Sequence, residues 1–165
     1  MAKIRYAEGL KCLPIIAPVA FTTSAIESEY VDMETHHWGS FHIAFGDMTS
    51  DSTDTVTVTV ECSTAASSNA TEVNLAFDYR LSSAVATDSM GAITSATTTG
   101  VSITATDDAK LLIVEVNPDT IPAALTDGKF LRIVATPSDA VASGVISAVA
   151  YLEPRYPANL SPSST

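Results

Sequence analysis

The chain has 165 residues and a formal net charge of −11 at pH 7, with 46% hydrophobic and only 16% charged residues. This length suits one domain with a sizeable core, and the hydrophobic content argues against global disorder. The acidic balance disfavours direct binding to nucleic-acid phosphates or anionic membrane surfaces, and it would attract a basic protein surface.

The first predicted element is an apolar N-terminal segment, residues 1–21. Pro14 and Pro18 disfavour a helix and push the residues before them into extended backbone. The segment is too apolar for a solvated tail, so we expect it to lie on its own domain, on a neighbouring subunit or on a partner. We predict an extended arm that can be deleted while the rest of the chain stays folded. Its predicted partner-binding side chains are Leu13, Ile15, Ile16, Val19 and Phe21.

Repeated alternation of apolar and polar residues follows, which is the pattern of half-buried antiparallel strands. The clearest case lies at residues 55–60, where three valines occupy one face and three threonines the other. Residues 111–116 are apolar almost throughout, which predicts a central strand. Residues 93–103 are either a hairpin or an irregular connection. The other predicted strands are residues 25–33, 38–45, 73–81, 130–135 and 145–152.

These elements predict an all-β fold. Eight or so strands at this spacing, without a convincing long amphipathic helix, indicate an antiparallel β-sandwich or jelly roll, with a barrel as the alternative. One short helical turn is expected within residues 117–128. Residues 22–154 would form the sandwich, and residues 155–165 an exposed tail rich in Pro and Ser.

The best candidates for metal ligands are Asp32, Glu34, His36 and His42. In one uninterrupted strand these side chains would point the same way, but the two histidines would lie about 20 Å apart. That distance is too great for one ion, so we predict no metal site. We interpret His36, His37 and Trp38 instead as the polar and aromatic start of a strand, or as a contact surface.

The loop at residues 46–54 carries Asp47, Asp51 and Asp54 among serines and threonines. Calcium favours such oxygen ligands, but the spacing does not match an EF-hand loop. A solvated turn with local side-chain hydrogen bonds is the simpler interpretation, and calcium binding stays open. The two cysteines, Cys12 and Cys62, have no metal-type spacing. They either pair across the fold or act as small buried hydrophobic residues.

No motif for catalysis or for a cofactor stands out in the sequence. It contains neither a Gly-x-Ser-x-Gly elbow nor a Gly-rich phosphate loop. We therefore predict no enzymatic activity, no catalytic residue and no cofactor. The apolar runs also stay well short of the roughly 20 residues that a membrane-spanning helix needs, so we predict no membrane partner.

Features from both halves of the chain resemble one known group of proteins. The first half has a proline-containing arm through Pro18, then Thr-Thr-Ser at residues 22–24, and an aromatic strand that ends at residues 45–46. The second half has Asp-Gly-Lys-Phe-Leu-Arg-Ile at residues 127–133 and an alanine-rich last strand before a proline tail. In this order the features resemble the head-decoration, or cement, proteins of tailed bacteriophages.

The resemblance implies a structural virion protein on the capsid exterior, which binds the major capsid protein and stabilises the lattice. It also implies a homotrimer, and a second argument supports that expectation: exposed sheet edges need covering, and sister chains could cover them. Two alternatives remain. One is a β-sandwich binding module of the carbohydrate-binding or adhesin-like kind, for which Trp38 and Tyr79 are the plausible platforms. The other is a tail or neck structural protein.

Overall fold

The computed structural model describes residues 9–48, 55–67, 70–107, 109–138 and 144–155. Regular structure in these ranges is almost entirely β. A short α-helical turn lies at Ile121–Ala124, and two 3-10 turns lie at Ala105–Asp107 and Pro118–Thr120. The strands are β1 (Lys11–Ala20), β2 (Ile26–Glu27), β3 (Val31–Asp32), β4 (His36–Phe45), β5 (Thr55–Ser63), β6 (Glu72–Leu75), β7 (Phe77–Leu81), β8 (Thr94–Ala96), β9 (Val101–Thr104), β10 (Leu111–Val116), β11 (Phe130–Pro137) and β12 (Val145–Pro154).

The strands form two antiparallel sheets. Sheet A has the order β1-β12-β4-β10-β7-β8. Sheet B is centred on the adjacent strands β11 and β5. The edge of β11 that faces away from β5 pairs with β2 and β3, and the edge of β5 that faces away from β11 pairs with β6 and β9. Buried side chains from both sheets form one core. The predicted antiparallel β-sandwich is therefore confirmed.

Alternation along β5 shows why this sequence forms a half-buried strand. Val56, Val58 and Val60 are fully buried, whereas the threonines between them are half-buried on the opposite side. Successive side chains of a strand point to opposite faces, so the sequence period of two places every valine in the core. β-branched residues also suit the pleated backbone.

The predicted strand at residues 73–81 is two strands in different sheets. β6 ends at Leu75 in sheet B, and β7 begins at Phe77 in sheet A, with the exposed Ala76 between them. Leu75 and Phe77 are both buried, because the alternation continues through the crossing. The region at residues 93–103 is likewise a connection between sheets, since β8 lies in sheet A and β9 in sheet B. Alternation therefore shows which side chains of a strand are buried, but it does not show to which sheet the strand belongs.

The N-terminal segment is extended as predicted, but it is not a separate arm. β1 pairs with β12 from Lys11 to Ala20 and forms an edge of sheet A. Ile15, Ile16 and Phe21 lie in the core of the same chain. The predicted boundary between residues 21 and 22 is therefore wrong: these apolar side chains are removed from water by their own sandwich, and the strand belongs to it.

Several edges of the two sheets carry features that discourage further strand pairing. In β1, Pro14 and Pro18 lack an amide donor, and the pairing with β12 is irregular on either side of Ile16. β8, at the other edge of sheet A, has only three residues, and β2 and β3 have two each. Prolines, irregular pairing and short strands all blunt an edge. These edges are therefore blunted within the chain itself, and the homotrimer stays an expectation from the resemblance.

Candidate functional site

The histidines considered as metal ligands are engaged in other contacts. His36 is buried; its Nδ1 lies 2.7 Å from the Asp32 carbonyl oxygen and 3.1 Å from Thr35 Oγ1. The Nε2 of His36 is also buried and has no hydrogen-bond partner among the described residues. His42 Nε2 lies 3.1 Å from Ser40 Oγ. Burial lowers the pKa of both imidazoles. Within the described ranges, no three His, Cys, Asp or Glu residues are grouped to hold a metal ion.

The contact surface predicted at the start of β4 is not formed as expected. His36 is 3% exposed, Trp38 is half-buried and His37 alone is exposed. His36 is therefore a buried residue and not part of a contact surface. The reason is a bulge opposite Pro154, which disturbs the regular alternation of buried and exposed side chains at this end of β4. In the predicted acidic loop, Asp47 is exposed, and Asp51 and Asp54 lie outside the described residues.

The predicted partner-binding residues of the arm divide into two groups. Ile15, Ile16 and Phe21 are at most 6% exposed and packed in the core, so their side chains are not available to a partner. Leu13 is half-buried against the same core, and Val19 is 41% exposed near the end of the strand. The apolar character of this segment is thus explained by the sandwich itself.

The two cysteines are both free thiols and lie in different sheets. Cys12 is exposed on the edge strand β1, whereas Cys62 is buried on β5. Burial raises the pKa of the Cys62 thiol to about 11, which keeps it protonated at neutral pH. A Cβ on Gly128 would lie 2.5 Å from Cys62 Sγ, so the backbone is packed directly on this sulfur.

The most distinctive polar site is a cluster around Arg132, which we call the Arg132 cluster: Glu27, Tyr30, Glu61, Glu72 and Arg132. Each guanidinium nitrogen donates to a different carboxylate: Nε to Glu61 at 2.7 Å, Nη1 to Glu27 at 2.6 Å and Nη2 to Glu72 at 2.9 Å. The guanidinium also lies over the Tyr30 ring, 5.1 Å from its centroid, and the Tyr30 hydroxyl donates to Glu72.

The Arg132 cluster links four strands of sheet B, because its charged members come from β2, β5, β6 and β11. Burial alone would lower the pKa of Arg132, but the hydrogen bond and charge of Glu61, with the charges of Glu27 and Glu72, raise it above its ordinary value. Burial and the hydrogen bond to Glu72 raise the pKa of Tyr30 to about 12. Three carboxylates around one guanidinium leave the cluster with surplus negative charge.

Sequence reasoning missed this cluster, although one signal was present. Arg132 interrupts the apolar run of β11, and its cross-strand partner is Glu61, which interrupts the Thr-Val alternation of β5. Opposed charges at matching places in neighbouring strands favour such a pair. The contributions of Glu27 and Glu72 could not be inferred, because the short strands β2 and β6 are placed by the tertiary fold.

The outer faces of the two sheets differ in chemistry. On sheet B the outward residues of β5 include Thr57, Thr59 and Glu61, and the Arg132 cluster continues the polar surface on β11. On sheet A the outward residues of β10 include Leu111 and Ile113. Antiparallel sheets with one solvated face are normally polar on that face. Sheet B follows this rule, and the centre of sheet A does not.

Comparison with known proteins gives no relative: no family model matches the chain, and no curated protein or solved structure matches it significantly. The described residues also contain no helix that is both long and apolar enough to cross a membrane.

Proposed function

We propose that this chain is a non-enzymatic structural protein of the virion, a head-decoration protein that binds the outside of the capsid through the outer face of sheet B. The class follows from the resemblance of its sequence motifs. The observation that supports this face as the contact is the Arg132 cluster, where three glutamates surround one arginine. The ion pairs to Arg132 hold the surplus negative charge at a defined place on sheet B.

The partner that suits this face is a basic region of the major capsid protein. Acidic groups attract such a surface and orient it during the encounter, and salt screens that attraction. Glu27 is suited to intermolecular contact because its side chain is 52% exposed. The threonine hydroxyls beside the cluster supply further hydrogen-bond donors and acceptors.

The proposal is tested on purified particles from a phage that encodes the chain. Peptide mass spectrometry should find it at many copies per particle, and particles lacking it should bind the purified protein and withstand heating better afterwards. Attachment should weaken as salt is raised. Detection of the chain only in tails or necks would favour the alternative structural role, and its absence from particles would refute the proposal.

A matched pair of variants tests the face. Glu27→Gln removes one exposed charge from the Arg132 cluster, and Asp88→Asn removes one from an exposed loop outside it. We expect Glu27→Gln to detach at lower salt than the natural protein, and Asp88→Asn to behave like the natural protein. Equal behaviour of the two variants would show that another surface makes the contact.

The carbohydrate-binding alternative receives no specific support from the geometry. A sugar platform needs an exposed aromatic ring, yet Trp38 and Tyr79 are both half-buried. The Tyr79 ring also packs edge-on against Phe77, with the ring centroids 6.4 Å apart. A homotrimer remains a prediction that rests on the resemblance, and the mass of the purified protein tests it.

A further inference from the structure

Over residues 111–114, strand β10 is apolar on both of its faces. Leu112 and Val114 are fully buried in the core, while Leu111 and Ile113 alternate with them and point outward. A strand with this composition is typical of sheets that are covered on both sides. In this sandwich only the inner side is covered, since no described helix or strand is stacked on the outer face of sheet A.

Most of the outward residues in two adjoining rows across sheet A are apolar. In one row Pro14 on β1 lies opposite Val149 on β12, Val149 lies opposite His42 on β4, and His42 lies opposite Ile113 on β10. In the next row Ser147, Ala44 and Leu111 are cross-strand neighbours. We call these two rows the sheet A face; its members are the apolar residues Pro14, Ala44, Leu111, Ile113 and Val149 and the polar residues His42 and Ser147.

Charged residues lie around the sheet A face rather than within it. Asp78 and Arg80 are on β7, Glu115 is at the far end of β10, and Glu153 is near the end of β12. An apolar centre with a polar rim is the arrangement found in protein–protein interfaces. Scattered exposed apolar residues are ordinary, but a mainly apolar patch with such a rim is typical of a contact surface.

We propose that a second copy of this chain occupies the sheet A face, with the two sheets packed face to face about a two-fold axis. A chain with a net charge of −11 repels its own copy wherever carboxylates meet. No carboxylate lies within the sheet A face, so two copies can meet there without bringing negative charges together at its centre. The same apolar patch serves both partners, as a two-fold interface requires.

The size of the surface is adequate for such a dimer. The whole outer side of sheet A, which is the sheet A face together with its charged rim, has six strands. At about 4.8 Å between strands, and with roughly seven residues of about 3.4 Å in each, its area is about 700 Å², close to the about 800 Å² that one partner contributes to a standard interface. The proposal concerns the purified chain alone, so it does not depend on the virion role, and it replaces the homotrimer that the resemblance implies.

Light scattering coupled to gel filtration, with reductant present to keep Cys12 free, tests the proposal. We expect a mass of two chains of 17.2 kDa each. Ala44→Lys and Ile113→Lys place a charge within the sheet A face and should weaken the dimer roughly 30-fold or more, since a buried unpaired charge opposes association. Ala44 is already exposed, so its variant is expected to fold.

Thr57→Lys is the matched control, because it adds the same charge at an outward position of the central strand β5 in sheet B. It should remain dimeric, and circular dichroism should show that all three variants are folded. A monomeric natural protein would overturn the proposal. So would a trimer, or a dimer that Ala44→Lys and Thr57→Lys affect equally.

Discussion

At the scale of single residues, Arg132 forms ion pairs with three glutamates. Its side chain is 10% exposed, so the guanidinium depends on the three glutamates to replace its lost hydration. Those glutamates sit on three strands, two of which are short. The cluster therefore fixes β2 and β6 to the centre of sheet B.

Replacing Arg132 tests this role. Arg132→Met keeps most of the side-chain volume but leaves three carboxylates close together, and we expect it to lower the free energy of unfolding by about 2–3 kcal/mol. Lys129→Met is the control, because its pair with Glu34 is exposed on both sides; its cost should be below about 1 kcal/mol. Urea denaturation measures both. Equal losses would show that the cluster has no special role.

His36 predicts a dependence of stability on pH. Burial lowers the pKa of His36 in the folded state, whereas in the unfolded chain a histidine binds its proton near pH 6.5. The unfolded state therefore takes up a proton first, and stability should fall as the pH drops below about 6.5, until the lowered folded pKa is reached. Burial lowers the pKa of His42 in the same direction.

Chemical denaturation at several pH values between 7 and 5 checks this expectation. His36→Gln should reduce the slope of unfolding free energy against pH. His37→Gln, on the exposed neighbour, is the matched control. An unaltered slope in the His36 variant would mean that its buried imidazole does not control the acid response.

At the scale of elements, β1 changes most between the sequence and the structure. Its prolines predicted extended backbone correctly, because proline fixes its own φ and restricts the residue before it. They could not show where the strand would lie. β1 pairs with β12, which is far away in the chain, and no local pattern encodes a pairing of that range.

Two substitutions in β1 test whether it is an integral strand. Ile16 is 6% exposed and Val19 is 41% exposed. Ile16→Ala should lower the free energy of unfolding by about 2–4 kcal/mol because it leaves a cavity in the core, and Val19→Ala should cost less than about 0.5 kcal/mol. Thermal and urea unfolding provide the values. A small effect of Ile16→Ala would support the hypothesis that this segment is a separate arm. It would also support the expectation that residues 1–20 can be deleted while the rest of the chain stays folded.

Other elements follow from the sequence to different degrees. The valines of β5 and the apolar run of β10 predicted both strands, because the side-chain period of a strand is a local property. The split at Ala76 was missed, since alternation continues unchanged from sheet B into sheet A. The Arg132 cluster was missed for a related reason: β2 and β11 join β5 and β6 only in the folded sandwich.

At the scale of the whole molecule, the two outer faces differ in chemistry, and we propose a different task for each. Sheet B presents hydroxyls and surplus negative charge, which suit a basic partner. Sheet A presents a mainly apolar centre, which suits the same face of a second copy. A protein that joins its own copy through one face and a second protein through the other makes repeated weak contacts that add up to firm attachment.

Small-angle X-ray scattering of the purified, reduced protein tests the central claim most directly, that the sheet A face is covered by a second copy. One chain of 165 residues has a radius of gyration of about 15 Å. Two sandwiches stacked face to face have centres about 20 Å apart and a radius of gyration of about 18 Å, whereas side-by-side pairing of edges gives about 21 Å. The account predicts about 18 Å with the forward scattering of two chains. A radius of about 15 Å with the scattering of one chain, or of about 21 Å with that of two, would contradict it.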